Sequence, residues 1–265
     1  MNFNNATIYK KNDIPQKAVI LYFHGGGLVY GSREDLPDFH IETLTNAGFT
    51  IIAFDYPLAP ESKIDIILSD VINSIENFIS NNDNLPYFLW GRSAGAYLCL
   101  LAASKKLSKA PNGILSYYGY GFLTRDWFET PSSYYNTLPK VNENCLDVCK
   151  DNICTSGSLD SRYSIYVYAR QTGKWKNLFY EGREKFFFLD YSLALCENLP
   201  CPVFFTHSIN DNDVSYNEFK ELSSRFKGTT YIVSEPMHDF DRNTDCDATK
   251  KLLEKTIEFL TYNLR

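Results

Sequence analysis

The chain has 265 residues, of which 44% are hydrophobic, and it carries a formal net charge of −6 with a pI near 5.3. Its length suits one α/β domain with an insertion, and its acidic balance argues against binding to nucleic acid or to an anionic membrane, both of which favour basic patches. The sequence contains no apolar signal segment and no run of about 18 apolar residues that could span a membrane. We therefore expect a cytoplasmic protein with no membrane span, whose oligomeric state the sequence leaves open.

Strand-like and helix-like segments alternate along the first part of the chain. Apolar runs predict buried strands at Ala18–Phe23, Phe49–Asp55, Pro86–Trp90 and Asn112–Tyr118. Helices are predicted at Ile64–Ser80, where apolar residues recur at helical spacing, and at Ala94–Ser104. This alternation indicates a parallel sheet with right-handed crossovers.

The alternation stops near residue 119 and resumes near residue 200, with strands predicted at Pro202–Thr206 and Thr230–Ser234 and a helix at Asp247–Leu260. The stretch from Tyr117 to Tyr191 holds 18 of the 41 Phe, Trp and Tyr residues. We therefore divide the chain into an α/β core, residues 1–118 and 200–265, and an inserted cap, residues 119–199. The cap is expected to be a lid over a substrate pocket, which its aromatic content favours, or a helical hairpin that stabilises the sheet edge.

A candidate catalytic motif lies between a predicted strand and a predicted helix. Gly91-Arg92-Ser93-Ala94-Gly95 fits G-x-S-x-G, the pattern of a nucleophile elbow, in which a strained turn exposes a serine. Flanking glycines let the strand and the helix approach closely, and the helix N-terminus favours negative charge at the serine. The alternative is an ordinary loop, but the surrounding elements favour Ser93 as a nucleophile.

A serine nucleophile also needs donors for the oxyanion, a base, and an acid that orients the base. His24-Gly25-Gly26-Gly27 directly follows a predicted strand, and consecutive glycines let backbone N–H groups point at one position. The N–H groups of Gly26, Gly27 and Ala94 are the expected oxyanion hole, with a flexible glycine turn as the alternative. His24 is expected to shape this loop by bonding to the backbone rather than to carry protons.

The base must be one of four histidines. We expect His238, because the order nucleophile, acid, base places the histidine last and in a loop near the C-terminus. His207 would break that order, and His40 is expected to be a surface or packing residue. The orienting acid is expected at Asp211, with Asp213 as the alternative, and the carboxylate that is not used is expected to shape the turn.

The seven cysteines include no CxxC pair and no histidine at ligand spacing. We expect ordinary reduced thiols rather than disulfides or a metal site. The predicted serine chemistry needs no metal or organic cofactor, and its expected partner is a small-molecule ester substrate.

With these residues assembled, the chain resembles the α/β-hydrolase superfamily, and within it the esterase branch related to hormone-sensitive lipase. The resemblance covers nearly the whole chain and rests on HGGG at 24–27, DYPLAPE at 55–61, GRSAG at 91–95, and Asp211 with His238. The branch usually has DYRLAPE and GDSAGG, so Pro57, Arg92 and Ala96 are departures. The resemblance implies a mostly parallel, doubly wound sheet with helices on both faces and an inserted cap. It also implies that residues 55–61 support the oxyanion loop and the elbow without taking part in the chemistry.

These features predict a serine hydrolase that uses Ser93, His238 and Asp211, and specifically a carboxylesterase that cleaves esters of small or medium acyl groups. The same residues would serve an amide, formamide or peptide hydrolase, which is the first alternative. A non-catalytic binding protein on the same fold is the second, and the presence of all three triad residues disfavours it.

Overall fold

In the computed structural model, which describes residues 5–82, 84–123, 127–149 and 152–264, a seven-stranded sheet forms the centre of the molecule. The strands are β1 (Ala6–Tyr9), β2 (Ala18–Phe23), β3 (Phe49–Phe54), β4 (Tyr87–Arg92), β5 (Gly113–Tyr117), β6 (Val203–Ser208) and β7 (Gly228–Val233). Their order across the sheet is β1-β3-β2-β4-β5-β6-β7. Strand β1 runs antiparallel to β3, and the other neighbouring strands run parallel.

Helices cover both faces of this sheet, as expected. In the described part of the chain they are α1 (Asp38–Asn46), α2 (Ile64–Asn81), α3 (Ala94–Ser104), α4 (Leu159–Thr172), α5 (Trp175–Phe179), α6 (Glu184–Asp190), α7 (Tyr216–Arg225) and α8 (Asp247–Tyr262). Alternate side chains of β2 point to opposite faces. Leu21 joins an apolar cluster with α2, α3 and α7, and Ile20 joins a second cluster with α1 and α8.

No bounds were predicted from the sequence for β1, for α1 and α7, or for the helices between β5 and β6. Strand β1 is a four-residue edge strand with no fully buried residue, so it lacks the apolar run of a central strand. Helix α7 buries only Glu218, Phe219 and Leu222, which leaves a weak apolar pattern. The elements that were predicted lie where they were expected, with shifts of at most two residues at their ends.

The strand order places the proposed site residues at one edge of the sheet. Strand β2 lies between β3 and β4. After β2 the chain first adds β3 on one side of it, and from β4 onward it adds strands on the other side, so the strand order reverses beside β2. Ligands in open α/β sheets bind at such a switch point, beyond the carboxyl ends of the strands. The HGGG segment follows β2, Ser93 follows β4, Asp211 follows β6 and His238 follows β7.

The segment between β5 and β6 contains α4, α5 and α6 together with two short 3-10 helices, Tyr135–Thr137 and Glu143–Val148. Most of its buried aromatic residues, among them Tyr166, Trp175 and Phe187, belong to the same apolar cluster as α2 and α3. The segment is therefore packed onto the sheet through a shared core. None of the helices described is both long and apolar enough to cross a membrane.

Candidate active site

The turn between β4 and α3 holds Ser93 in a strained conformation, with φ 53° and ψ −115°. A Cβ atom at Gly91 would lie 2.1 Å from the carbonyl carbon of Gly95, and one at Gly95 would lie 2.0 Å from the carbonyl oxygen of Phe23. Side chains at these two positions would therefore clash with backbone. The turn has the strand–turn–helix geometry that G-x-S-x-G predicts for a nucleophile elbow.

The three residues predicted as a triad lie within hydrogen-bonding distance of one another. Ser93 Oγ is 2.8 Å from His238 Nε2, and His238 Nδ1 donates to Asp211 Oδ2 at 2.6 Å. The imidazole thus bridges the hydroxyl and the carboxylate. A base placed in this way can accept the serine proton while the carboxylate fixes its tautomer and orientation.

Asp211 is held in place by the backbone of its own loop. Its Oδ1 accepts the N–H groups of Asp213 and Val214 at 2.8 and 2.9 Å. Burial favours the protonated form of Asp211, but the charge of His238 and the hydrogen bonds outweigh it, so the pKa of this carboxyl is lowered. Asp211 is therefore an ionised partner for His238.

His207, the alternative base, lies behind Asp211 and not beside Ser93. It sits inside β6 rather than after it, and its Nε2 donates to the carbonyl of Val214 at 3.2 Å and is 3.2 Å from Asp211 Oδ2. Burial lowers the pKa of His207, which favours its neutral form. It supports the acid and makes no contact with the nucleophile.

Asp213, the alternative acid, does not shape the turn as was expected for it. Its carboxylate accepts the hydroxyl of Tyr166 from α4 at 2.9 Å and lies 3.4 Å from Arg170 Nε. Its Oδ2 is 4.0 Å from His238 Nε2, on the pocket side of the imidazole. The turn is shaped by Asp211 instead, and Asp213 adds negative charge beside the proposed base.

The environment of His238 strongly favours its charged form. Burial lowers the pKa of His238, but the neighbouring carboxylates Asp211, Asp213 and Asp239 outweigh this effect and raise it to about 9. A histidine that acts as a base must lose this proton first. A base at this position would gain its unprotonated form as the pH rises through about 9.

The glycine loop after β2 faces the same pocket as Ser93. Gly26 and Gly27 have φ of 92° and 59°, and a Cβ at Gly27 would lie 2.2 Å from the ring of Tyr166. Within the described residues, the N–H groups of Gly26, Gly27 and Ala94 donate to no protein acceptor. The N–H groups of Gly26 and Gly27, which line the pocket, are thus available to a ligand there, and the N–H of Ala94 directly follows Ser93 in the chain.

The residues of the DYPLAPE segment contact the glycine loop directly. The hydroxyl of Tyr56 donates to the carbonyls of His24 and Gly25, at 2.9 and 3.1 Å, and its ring stacks on His24. Ala59 N donates to the carbonyl of Leu28. His24 Nδ1 donates to the carbonyl of Gly25 at 2.8 Å, in the backbone-bonding role expected from the sequence.

A pocket of about 270 Å³ opens beside Ser93 and His238. Its walls come from the glycine loop, from Tyr118 after β5, and from Leu159 and Tyr166 of α4. Charged side chains also line it: Asp35, Arg92, Asp213, Asp239 and Arg242. The pocket is small, and both aromatic and charged side chains line it.

A buried polar cluster adjoins the pocket, and most of it could not be predicted from the sequence. Arg92 donates to Asp241, and Asp241 also accepts from His40, which is fully buried. His40 is therefore a packing residue and not a surface one. Arg92 stood out as a departure from GDSAGG, but no motif marked Asp241.

The described residues contain no group of three or more His, Cys, Asp or Glu side chains arranged to hold a metal ion. All seven cysteines are free thiols, and burial raises the pKa of the Cys99 thiol beyond its ordinary range. The site residues above include no cysteine.

The fold and the strand-end site define an α/β hydrolase. The model of the family described as "alpha/beta hydrolase fold" matches residues 20–200, and the chain belongs to that family. The superfamily resemblance drawn from the sequence motifs is therefore confirmed.

Three similar proteins illustrate the relationship. A crystal structure of a protein of unknown function from Staphylococcus aureus subsp. aureus Mu50 has a TM-score of 0.88 and 33% identity, covering 98% of this chain and 94% of that one. An esterase of the bacterial hormone-sensitive lipase family has a TM-score of 0.68 at 17% identity, covering 98% and 81%, and shares the fold. Kynurenine formamidase from Danio rerio is 30% identical over 91 residues, which span 34% of this chain and 31% of the formamidase. The chain thus matches about a third of the length of this curated relative.

Proposed function

We propose that this protein is a serine hydrolase in which Ser93 is the nucleophile, His238 the base and Asp211 the orienting acid. The observation that carries the proposal is the pair of contacts made by one imidazole, 2.8 Å to Ser93 Oγ and 2.6 Å to Asp211 Oδ2. It is supported by the N–H groups of Gly26 and Gly27 at the same pocket, by that of Ala94 directly after Ser93, and by membership of a hydrolase family.

The geometry supports a two-step reaction. Ser93 Oγ attacks the substrate carbonyl while His238 Nε2 takes its proton, and the N–H groups of Gly26, Gly27 and Ala94 stabilise the oxyanion, at roughly 3 kcal/mol of barrier each. His238 then gives the proton to the leaving alkoxide, which departs and leaves an acyl-enzyme. Water attacks the acyl group with His238 again as base, and the carboxylic acid and free Ser93 are formed.

We assign the substrate to esters of small or medium acyl groups, which makes the enzyme a carboxylesterase. The pocket of about 270 Å³ favours short chains over long ones. We further propose that residues 119–199 act as a cap, because Ser158, Leu159 and Tyr166 from this segment line the pocket. In this proposal the cap sets the pocket depth.

A formamide or other amide is the second candidate substrate. It is favoured by the local similarity to kynurenine formamidase, a protein of which the match spans only 31%. The triad and the oxyanion donors serve both reactions, so the choice depends on the pocket and on protonation of the leaving amine.

The first experiment tests the nucleophile. Ser93→Ala is expected to abolish hydrolysis of p-nitrophenyl acetate and covalent labelling by a fluorophosphonate probe, because both need the same activated hydroxyl. Ser104→Ala at the other end of α3 is the matched control and should be labelled like the wild type. Full turnover by Ser93→Ala would exclude the proposed mechanism. A wild-type protein that is not labelled would favour a non-catalytic binding protein.

The second experiment separates the two substrate classes. Matched esters and amides, such as p-nitrophenyl acetate against p-nitroacetanilide and phenyl formate against formanilide, are compared by kcat/KM. A carboxylesterase should favour the ester well beyond the difference in intrinsic reactivity. A preference for formanilide would reassign the enzyme as a formamidase.

A further inference from the structure

The buried polar cluster beside the pocket consists of His40, Arg92, Tyr118 and Asp241, and the mechanism above does not use it. All four side chains are at most 2% exposed. A buried ion pair is costly to form, and removing one partner is strongly destabilising. We refer to these four residues as the Arg92–Asp241 cluster.

The cluster joins the two loops that carry the nucleophile and the base. Arg92 directly precedes Ser93, and Asp241 follows His238 by three residues. Arg92 Nη2 donates to Asp241 Oδ1 at 2.9 Å. This charged hydrogen bond therefore connects the end of β4 to the loop after β7, where a small movement would separate Ser93 from His238.

Tyr118 extends this connection to the imidazole itself. Its hydroxyl accepts from Arg92 Nε at 2.6 Å and donates to Asp241 Oδ1 at 2.8 Å. Its ring meets the His238 ring edge-on, with 4.7 Å between centroids and an interplanar angle of 64°. Tyr118 has a φ of 40°, which is uncommon for a residue with a side chain, so its surroundings hold it there.

The second oxygen of Asp241 is also fixed, since His40 Nε2 donates to Oδ2 at 3.0 Å. Burial would raise the pKa of Asp241, but Arg92 and His40 hold it well below its usual range. The carboxylate therefore stays charged and paired. Among the pocket-lining residues described, neither Asp241 nor His40 appears, so neither has a route to direct substrate contact.

We propose that Arg92, Tyr118 and Asp241 are positioning residues that hold the His238 imidazole in line with Ser93 Oγ. The inference rests on the proposed function of Ser93 and His238. It gives a reason for arginine at position 92, the departure from the GDSAGG pattern: here the position provides a cation for Asp241. A displacement of about 1 Å at reacting groups can lower a rate by about a hundredfold.

The test compares Tyr118→Phe and Asp241→Asn with Tyr117→Phe. Tyr117 is the matched control, because it is buried and its hydroxyl bonds to Thr256 at 2.6 Å, outside the cluster. Two readouts are needed: the rate of fluorophosphonate labelling of Ser93, and the downfield proton resonance of the His238 Nδ1 to Asp211 hydrogen bond. Thermal melting of each variant is measured in parallel.

Labelling should slow about tenfold in Tyr118→Phe and about a hundredfold in Asp241→Asn. In both variants the downfield resonance should shift or broaden, and kcat for p-nitrophenyl acetate should fall more than KM changes. The melting temperature of Tyr117→Phe should fall by about as much as that of Tyr118→Phe. Its labelling rate and its downfield resonance should stay those of the wild type.

The proposal is overturned if Tyr118→Phe and Asp241→Asn melt earlier but keep both the labelling rate and the resonance, since the cluster would then only stabilise the fold. If Asp241→Asn does not fold, Tyr118→Phe decides, because it keeps the ring and the Arg92–Asp241 pair. A wild-type enzyme that is never labelled would instead contradict the proposed function itself.

Discussion

At the scale of single residues, the proposed base is surrounded by more negative charge than one orienting acid provides. His238 faces Asp211 at Nδ1, Asp213 at 4.0 Å from Nε2, and Asp239 next to it in the chain. Burial lowers the pKa of His238, yet these carboxylates raise it to about 9. Nε2 must be unprotonated to accept the Ser93 proton. The negative charge that orients the imidazole therefore also raises the pH at which His238 can act as a base.

This arrangement predicts an alkaline pH profile. For the wild type, kcat/KM should rise with pH through about 9, because that constant reports ionisations of the free enzyme. Asp213→Asn removes a negative charge 4.0 Å from Nε2, so the pKa of His238 falls and the profile moves to lower pH. A charge at this distance in water contributes about 1 kcal/mol, which corresponds to a shift of roughly 0.7 pH unit.

The profile is measured by pH-stat titration of ethyl acetate hydrolysis, which avoids the ionisation of a nitrophenol. Asp65→Asn on the exposed side of α2 makes the same charge change outside the pocket and should leave the midpoint in place. An Asp213→Asn midpoint at or above that of the wild type would show that Asp213 does not act on His238.

At the scale of elements, helix α4 clamps the loop that carries the proposed oxyanion donors. Arg162 donates from Nε to the carbonyl of Val29 at 2.6 Å and from Nη2 to the carbonyl of Ala59 at 2.7 Å. Its guanidinium also forms a two-bond pair with Glu61, at 2.7 Å for each bond. One side chain thus joins α4 to the segments after β2 and β3.

The clamp predicts a large stability effect from one substitution. Arg162→Met is expected to lower the free energy of unfolding by about 3 to 5 kcal/mol, as for other broken buried ion pairs. Urea unfolding at an unchanged m-value measures it. Arg225→Met is the control, because Arg225 is exposed on α7 and should change stability by no more than about 0.5 kcal/mol. Equal unfolding midpoints for the two variants would contradict the clamp.

The six central strands and the contacts among Ser93, His238 and Asp211 could be predicted because their signals are local. The turn at 91–95, the glycines at 24–27 and the histidine after the last strand each follow a recognisable apolar run. The Arg92–Asp241 cluster and the clamp made by Arg162 could not be predicted. Arg92 and Asp241 are 149 positions apart in the sequence, and Arg162 and Glu61 are 101 positions apart. An arginine and a carboxylate at such separations look like ordinary surface charges until the fold brings them together.

At the scale of the whole molecule, the pocket lies where the segment between β5 and β6 meets the carboxyl edge of the sheet. Tyr166 of α4 joins the two at the pocket, because its ring lies against Gly27 and its hydroxyl bonds to Asp213. It is 4% exposed. Its bulk therefore limits the depth of the space beside Ser93, and the glycine at position 27 is what allows so close an approach.

The limit on depth predicts a preference in acyl chain length. The volume of about 270 Å³ equals that of roughly nine liquid waters at ~30 Å³ each, which suits a short ester. Across p-nitrophenyl esters, kcat/KM should be highest for acetyl to butyryl and about tenfold lower for octanoyl. Tyr166→Ala should move the maximum to longer chains, while Tyr163→Ala on the same helix, outside this pocket, should keep the wild-type order. If Tyr166→Ala remains folded and ranks the esters by chain length as the wild type does, the depth of the pocket is set by residues of the sheet side and not by α4.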